Sequence, residues 1–179
     1  ESIIVFFLLG GMALVELIDV HGGFHRICHF MQTQSKVRMM WIASFVTFAL
    51  SAVIDNLTST IVMISVIRKL VAEREDRLLL GSMVVIAANA GGAWTPIGDV
   101  TTTMLWISGR LTTFPLMSRL ILPSLGCIIG SLLLCSRKVS GEIEPVSHDK
   151  LPGSAPFASV VLVLGICALL AVPFFKATI

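Results

Sequence analysis

Charged residues are scarce in this sequence. They make up 13% of the 179 residues, whereas a soluble domain has about 25%. Hydrophobic residues make up 55%, and the mean hydropathy is +0.92. A soluble domain of this length builds one core and has no place for several long apolar runs. The composition therefore excludes an ordinary soluble domain and indicates a helical membrane protein.

Features of several other protein classes are also absent. No C-x-x-C motif occurs, and the four cysteines stand singly at positions 28, 127, 135 and 167. Neither a zinc site nor a disulfide framework is indicated. The net charge of +2 does not suggest a nucleic-acid partner. We expect membrane lipid as the partner and no cofactor.

Apolar runs divide the chain into candidate membrane segments. The predicted elements are a span over residues 2–18, an interfacial helix over 24–35, a hairpin over 37–72, a broken helix over 78–107, a span over 115–135, a cytoplasmic linker over 137–154 and a further span over 155–179. At about 1.5 Å per residue, the last two spans can cross a hydrocarbon core of about 30 Å. The start does not resemble a signal peptide, and we expect the chain to be part of a longer membrane protein.

The hairpin has two short apolar arms, Val37 to Val53 and Thr60 to Ala72, separated by the polar sequence I-D-N-L-T-S. Two ordinary spans joined by an exposed turn would fit this pattern. We favour a re-entrant hairpin whose tip lies within the membrane, where polar backbone is tolerated if it lines a protein cavity.

Basic residues predict the orientation. In this arrangement ten of the 13 Lys and Arg residues lie on one side, and three, Arg110, Arg119 and Lys176, lie on the other. Positively charged residues are enriched in cytoplasmic loops. The loops 20–36, 72–78 and 136–151 are therefore predicted to be cytoplasmic.

Two polar clusters lie inside the apolar segments. Asp55 to Thr60 forms the hairpin tip, and Asn89 to Thr103 reads N-A-G-G-A-W-T-P-I-G-D-V-T-T-T. Pro96 cannot donate to a helix, and the glycines at 91, 92 and 98 permit unwinding. We therefore expect two half-helices that meet near the bilayer midplane. An aspartate at that depth costs at least about 2.5 kcal/mol on insertion scales, which makes it a candidate functional residue.

The tip and the break together predict a cation site. Freed carbonyls and a carboxylate offer oxygen ligands to a hard cation, and discontinuous helices build such sites in secondary transporters. The predicted site residues are Asp55, Asn56, Thr58, Asn89, Asp99, Thr101 and Thr102. Helix capping is the alternative role for both aspartates. For Thr58, Ser59 and Thr103 the alternative is a hydrogen bond from the hydroxyl to a helical carbonyl.

Other titratable residues near the first span have open roles. Glu16 and Asp19 are three residues apart, so they line an ion entrance or stand as interfacial carboxylates. His21, His25 and His29 are spaced by four, as in a metal or pH-sensing site. Two glycines interrupt a helix between the first two, so we favour ordinary interfacial histidines.

Three stretches resemble the NhaD family of bacterial sodium/proton antiporters, within the larger ion-transporter superfamily: V-E-L-I-D-V-H-G-G-F, S-A-V-I-D-N-L-T-S-T-I-V-M and A-A-N-A-G-G-A-W-T-P-I-G-D-V-T-T-T-M-L-W. The resemblance covers nearly the whole chain up to the linker. It implies an all-α fold with two inverted repeats, each with a re-entrant hairpin and a broken helix. It also implies a homodimer in the bacterial inner membrane. This chain would hold most of the first repeat, and the second repeat would be a further part of the same protein.

The predicted activity is exchange of sodium, or lithium, for protons that compete for Asp55 and Asp99. Dicarboxylate- or arsenite-type anion transport is the alternative within the superfamily, but those sites favour a Ser-Asn-Thr-like tip over an acidic one. An intramembrane aspartyl protease is a remote alternative, because its G-x-G-D motif appears here as Pro96-Ile97-Gly98-Asp99 without the first glycine. We therefore predict a transporter rather than an enzyme.

Overall fold

The computed structural model describes residues 33–139 and 141–143, together with the single residues 13 and 31. These residues form five helices: α1 (Lys36–Ser51), α2 (Asn56–Leu70), α3 (Arg74–Ala93), α4 (Val100–Ile107) and α5 (Thr113–Ser136). The predicted helical fold is confirmed for this part of the chain. The predicted span 2–18, most of the interfacial helix 24–35 and the span 155–179 lie outside the described residues. So do Glu16, Asp19 and the three histidines.

Helices α1 and α2 form a helical hairpin with a short connection at residues 52–55. The carboxylate of Asp55 caps α2 by accepting a hydrogen bond from the Thr58 amide at 2.8 Å. The second arm therefore begins at Asn56, whereas the sequence pattern placed its start at Thr60. The polar residues of the predicted tip are largely the first turn of a helix.

The break predicted in the helix over residues 78–107 is present. Helix α3 ends at Ala93 and α4 begins at Val100, and the six connecting residues include Pro96 and Gly98. The start of this segment was placed too late, because α3 begins at Arg74 rather than at residue 78. The loop predicted over residues 72–78 is therefore shorter than expected: only residues 71–73 lie between the two helices.

Helix α3 packs against α1, α2 and α5. Its buried face repeats at helical spacing and includes Leu80, Met83, Val84 and Ala87. Alanine and glycine continue this face toward the break, where they let neighbouring backbones come close. The small residues thus bring the hairpin connection next to the end of α3.

An ion pair joins the starts of α1 and α3. The Lys36 amine lies 2.8 Å from an Asp76 carboxylate oxygen and 3.7 Å from a Glu73 oxygen. The hydrogen bond to Asp76 raises the pKa of the Lys36 amine, so the amine stays protonated at physiological pH. Asp76 is buried, and a buried carboxylate is tolerated when it is paired. Its pairing explains why the charged sequence before Leu78 belongs to a helix.

The chain after α5 returns to the same end of the molecule. Ile143 donates a backbone hydrogen bond to Gln34 at 2.7 Å, and Lys36 donates one to Gly141 at 3.3 Å. Ile143 is buried in the hydrophobic core. The beginning of the predicted linker therefore packs against the start of α1.

Within the described part of the chain, α5 is the one helix that is long and apolar enough to span a membrane by length and composition. Large apolar side chains on its surface are exposed, among them Leu122 and Leu134. Such a surface suits contact with lipid or with further helices.

Candidate ion-binding site

The connection between α1 and α2 lies against the connection between α3 and α4. The backbone amide of Asn56 donates a hydrogen bond to the Gly98 carbonyl at 3.1 Å. The Thr95 hydroxyl donates one to the Ala52 carbonyl at 2.7 Å. Backbone groups at helix ends need such partners, because the helices themselves leave them unpaired. The two bonds fix the hairpin connection against the helix break.

Asn56 connects the two predicted clusters through its side chain. Its Nδ2 donates hydrogen bonds to Asp99 Oδ1 at 3.0 Å and to Asn89 Oδ1 at 3.2 Å. Asn89 in turn donates from Nδ2 to the Val85 carbonyl at 2.8 Å, which holds its oxygen toward Asn56. Three of the predicted site residues, on α2, on α3 and at the start of α4, thus form one cluster.

Both aspartates cap helices, as in the alternative raised from the sequence. Asp99 Oδ2 accepts hydrogen bonds from the amides of Thr101 at 3.1 Å and Thr102 at 3.4 Å. Asp55 Oδ1 accepts from the Thr58 amide. Capping occupies one oxygen of each carboxylate and leaves the other for a further contact. The positive end of a helix also stabilises negative charge at these positions.

The threonines of the predicted site contribute in a different way from the one expected. Thr58, Thr101 and Thr102 contact the aspartates through backbone amides. The Thr103 hydroxyl donates to the Asp99 carbonyl at 2.8 Å, which is the hydrogen bond to a helical carbonyl considered above. The Ser59 hydroxyl is buried and has no hydrogen-bond partner among the described residues.

The glycines have a role that the sequence pattern did not reveal. Gly91 and Gly92 lie within α3 and not in an unwound segment. A Cβ atom on Gly91 would overlap the Phe48 carbonyl of α1, and one on Gly92 would overlap the Gly98 carbonyl. These glycines therefore permit backbone contact between elements, whereas unwinding is confined to residues 94–99.

Ser51 is a further residue of this region that the sequence did not single out. It is fully buried at the end of α1, and its hydroxyl donates to the Ala88 carbonyl of α3 at 2.5 Å. The sequence signal that could have identified Ser51 is a polar residue within an apolar run, four residues before Asp55. The bond joins the hairpin to α3 at Ala88, the residue directly before Asn89.

A family model described as "Citrate transporter" matches residues 1–178. The chain belongs to this family. The description is that of a transporter family, so the chain is part of an integral membrane protein, and the predicted relationship to a transporter family is confirmed.

Individual relatives are more specific. The chain is 52% identical to "Sodium/proton antiporter 1" of Arabidopsis thaliana, over 98% of this chain and 31% of the relative. It is 47% identical to "Sodium/proton antiporter 2" of the same plant, over 98% of this chain and 43% of the relative. It is 33% identical to "Na(+)/H(+) antiporter NhaD" of Alkalimonas amylolytica, over 80% of this chain and 31% of the relative. The predicted relationship to NhaD antiporters is confirmed, and the chain spans less than half the length of these relatives. No solved structure matches the chain.

Proposed function

We propose that this chain carries the first-repeat part of the ion site of an antiporter that exchanges sodium, or lithium, for protons. The observation that carries the proposal is the cluster in which Asn56 joins Asp99 to Asn89. Support also comes from the names of the plant and bacterial relatives, each of which is called a sodium/proton antiporter.

The chemistry of the cluster suits a small hard cation. Asp99 supplies carboxylate oxygens to the cluster, Asn56 and Asn89 supply amide oxygens, and we propose that Asp55, next to Asn56 in the chain, adds a second carboxylate. Asn56 uses its Nδ2 for both side-chain hydrogen bonds, so its own oxygen stays available to a cation. The amides of the three threonines hold the carboxylates in place. Sodium binds the charged carboxylates, protons displace it, and no cofactor takes part.

The helix lengths support a re-entrant hairpin. Helix α1 has 16 residues and α2 has 15, which corresponds to about 24 and 22 Å. Neither crosses a hydrocarbon core of about 30 Å, whereas the 24 residues of α5 extend about 36 Å. The start of α1 lies beside the chain that follows α5. The tip would therefore lie inside the membrane at the depth of the helix break.

Further parts of the protein complete the proposal. The greater length of the relatives leaves room for a second, inverted repeat with its own hairpin and broken helix, and we propose that the complete protein is a multi-pass homodimer. The bacterial inner membrane stays a prediction. The 52% identity to a plant protein makes a plant membrane an equal candidate.

Anion transport is the second candidate, because the family description names citrate. Two aspartates at the same site oppose binding of a multiply charged anion, since like charges repel strongly where water is excluded. Uptake of citrate into proteoliposomes, with and without a sodium gradient, separates this candidate from antiport.

Competition between sodium and protons tests the proposed function. In proteoliposomes of the complete protein, the half-saturating sodium concentration should rise as pH falls. The rise is at most about tenfold per pH unit for each proton displaced, because a proton on a ligand must leave before sodium binds. At the alkaline end sodium affinity should level off, while exchange declines for lack of protons. If the half-saturating sodium concentration stays constant as the pH is lowered, the two ions do not share a site.

Cysteine labelling tests the orientation. In a complete protein without its native cysteines, Ser147→Cys should react with a membrane-impermeant reagent only from the side that holds the excess of Lys and Arg. Ser108→Cys, at the exposed end of α4, is the matched position and should react only from the opposite side. Labelling of both positions from one side would contradict the proposed topology.

A further inference from the structure

A groove between α2 and α3 lies outside the proposed ion site. It has a volume of about 610 Å³, which is within the usual range of roughly 300–1,000 Å³ for small-molecule sites. The groove runs from the charged ends of the two helices along an apolar wall. Its two parts therefore differ in chemistry.

The charged part of the groove is formed by three arginines. Arg68 belongs to the last turn of α2, and Arg74 and Arg77 belong to the first turn of α3. Among the described residues, none of the three forms a salt bridge with a carboxylate. The nearby carboxylates of Glu73 and Asp76 instead contact Lys36. The start of α3 thus presents Glu73 and Asp76 toward α1, and Arg74 and Arg77 toward the groove.

The apolar part of the groove is formed by residues of the same two helices. Ile64 and Ile67 come from α2, and Leu78, Gly81 and Val85 come from α3 at spacings of three and four. A Cβ atom on Gly81 would meet nothing within 4 Å. Leu78 and Val85 are large apolar side chains that remain exposed. The wall can therefore accept an extended apolar ligand beneath the arginines.

We propose that this groove binds an anionic phospholipid, with its phosphate held by the three arginines and one acyl chain lying along the apolar wall. Arginine is well suited to phosphate because its planar guanidinium donates two parallel hydrogen bonds. The arginines lie on the side that holds the excess of Lys and Arg, which is the side where anionic lipids attract basic segments. The charged part of the groove thus matches a lipid headgroup, and the apolar part next to it matches an acyl chain.

Lipid retention by the complete protein tests this proposal. Native mass spectrometry after exchange into mixed phosphatidylglycerol and phosphatidylcholine should show phosphatidylglycerol retained preferentially by the unmodified protein. The combined variant Arg68→Gln, Arg74→Gln and Arg77→Gln should bind phosphatidylglycerol on the order of 100-fold more weakly, since each basic residue near a membrane surface contributes roughly a fivefold change. Gly81→Leu should also reduce retention, because the leucine side chain would occupy the space along the apolar wall where the acyl chain lies.

Matched variants control for general charge and bulk. The combination of Arg38→Gln, Arg137→Gln and Lys138→Gln removes three exposed charges outside the groove, and Ser65→Leu places a leucine side chain at an exposed site on α2. Both should retain phosphatidylglycerol as the unmodified protein does. The proposal is overturned if the arginine variant retains the lipid normally, or if the unmodified protein retains none because another part of the protein fills the groove. It is also overturned if inorganic phosphate displaces the lipid and Gly81→Leu has no effect, which would indicate a site for a soluble anion.

Discussion

Sodium/proton exchange by the complete protein should fall to the level of empty vesicles when Asp99 is replaced by asparagine. Asparagine caps a helix about as well as aspartate does, so the hydrogen bonds from Thr101 and Thr102 have an acceptor in the variant. Its single oxygen serves the cap, so its Nδ2 faces the Nδ2 of Asn56 and the hydrogen bond from Asn56 is lost. The substitution therefore removes the negative charge, the exchangeable proton and the bond to Asn56 while leaving the start of α4 intact.

The same logic applies to Asp55, whose carboxylate caps α2. Asp55→Asn should also abolish exchange in inverted vesicles, with normal insertion and an unchanged melting temperature. Replacing either aspartate by alanine removes the cap as well, which should cost about 1 kcal/mol of stability in addition. The difference between asparagine and alanine variants thus separates the role in capping from the role in ion exchange.

A distant carboxylate provides the control. Glu75 is exposed in the first turn of α3, so Glu75→Gln removes one negative charge far from the cluster and should leave exchange unchanged. Normal exchange by both Asp55→Asn and Asp99→Asn would mean that the two aspartates only cap helices, and the assignment of the ion site would be wrong.

Several features of the fold followed directly from the sequence. Pro96 and Gly98 predicted the interruption between α3 and α4, and the polar residues around Asp55 predicted the turn of the hairpin. Both predictions rest on local chemistry: proline lacks an amide donor, and an aspartate caps a following helix. Local rules of this kind are readable from a single sequence.

The misplaced helix starts have a different origin. The sequence pattern predicted a cytoplasmic loop over residues 72–78, but Asp76 is buried within α3 and paired with Lys36. That pairing joins residues 40 positions apart and has no local signal. The polar residues predicted a tip that extends to Thr60, whereas Asp55 caps α2 and the helix begins at Asn56.

The site itself was predicted as a set of residues and not as a geometry. Asn56, Asn89 and Asp99 were each expected at the site, but the sequence did not indicate that Asn56 would bridge the other two. It also gave no role to Ser51, whose hydroxyl meets α3. Contacts between elements depend on how closely the backbones approach, and that distance is set by tertiary packing.

The close approach of the two connections makes a second large effect testable. A Cβ atom on Gly98 would lie 2.6 Å from the Ser51 carbonyl oxygen and 2.6 Å from the Thr95 hydroxyl. Since neither distance is tolerated, Gly98→Ala must push the helix break away from the hairpin. Overpacking of this kind usually costs about 1–3 kcal/mol. The shift would also weaken the hydrogen bond from the Asn56 amide to the Gly98 carbonyl.

Gly98→Ala should therefore lower both the melting temperature and the sodium affinity of the complete protein, since Asp99 is the next residue along the chain. Gly81→Ala is the matched control: Gly81 lies within α3 with open space around it, and alanine is favoured over glycine there by up to about 1 kcal/mol. Gly92→Ala would disturb the same contact between α3 and the helix break, because the Cβ atom at position 92 would overlap the Gly98 carbonyl. The double variant Gly92→Ala and Gly98→Ala should thus lose less than the sum of the two single losses, because neighbours that share a contact are not additive. A Gly98→Ala protein that melts and binds sodium like the unmodified one would show that the two connections do not need to touch for the site to form.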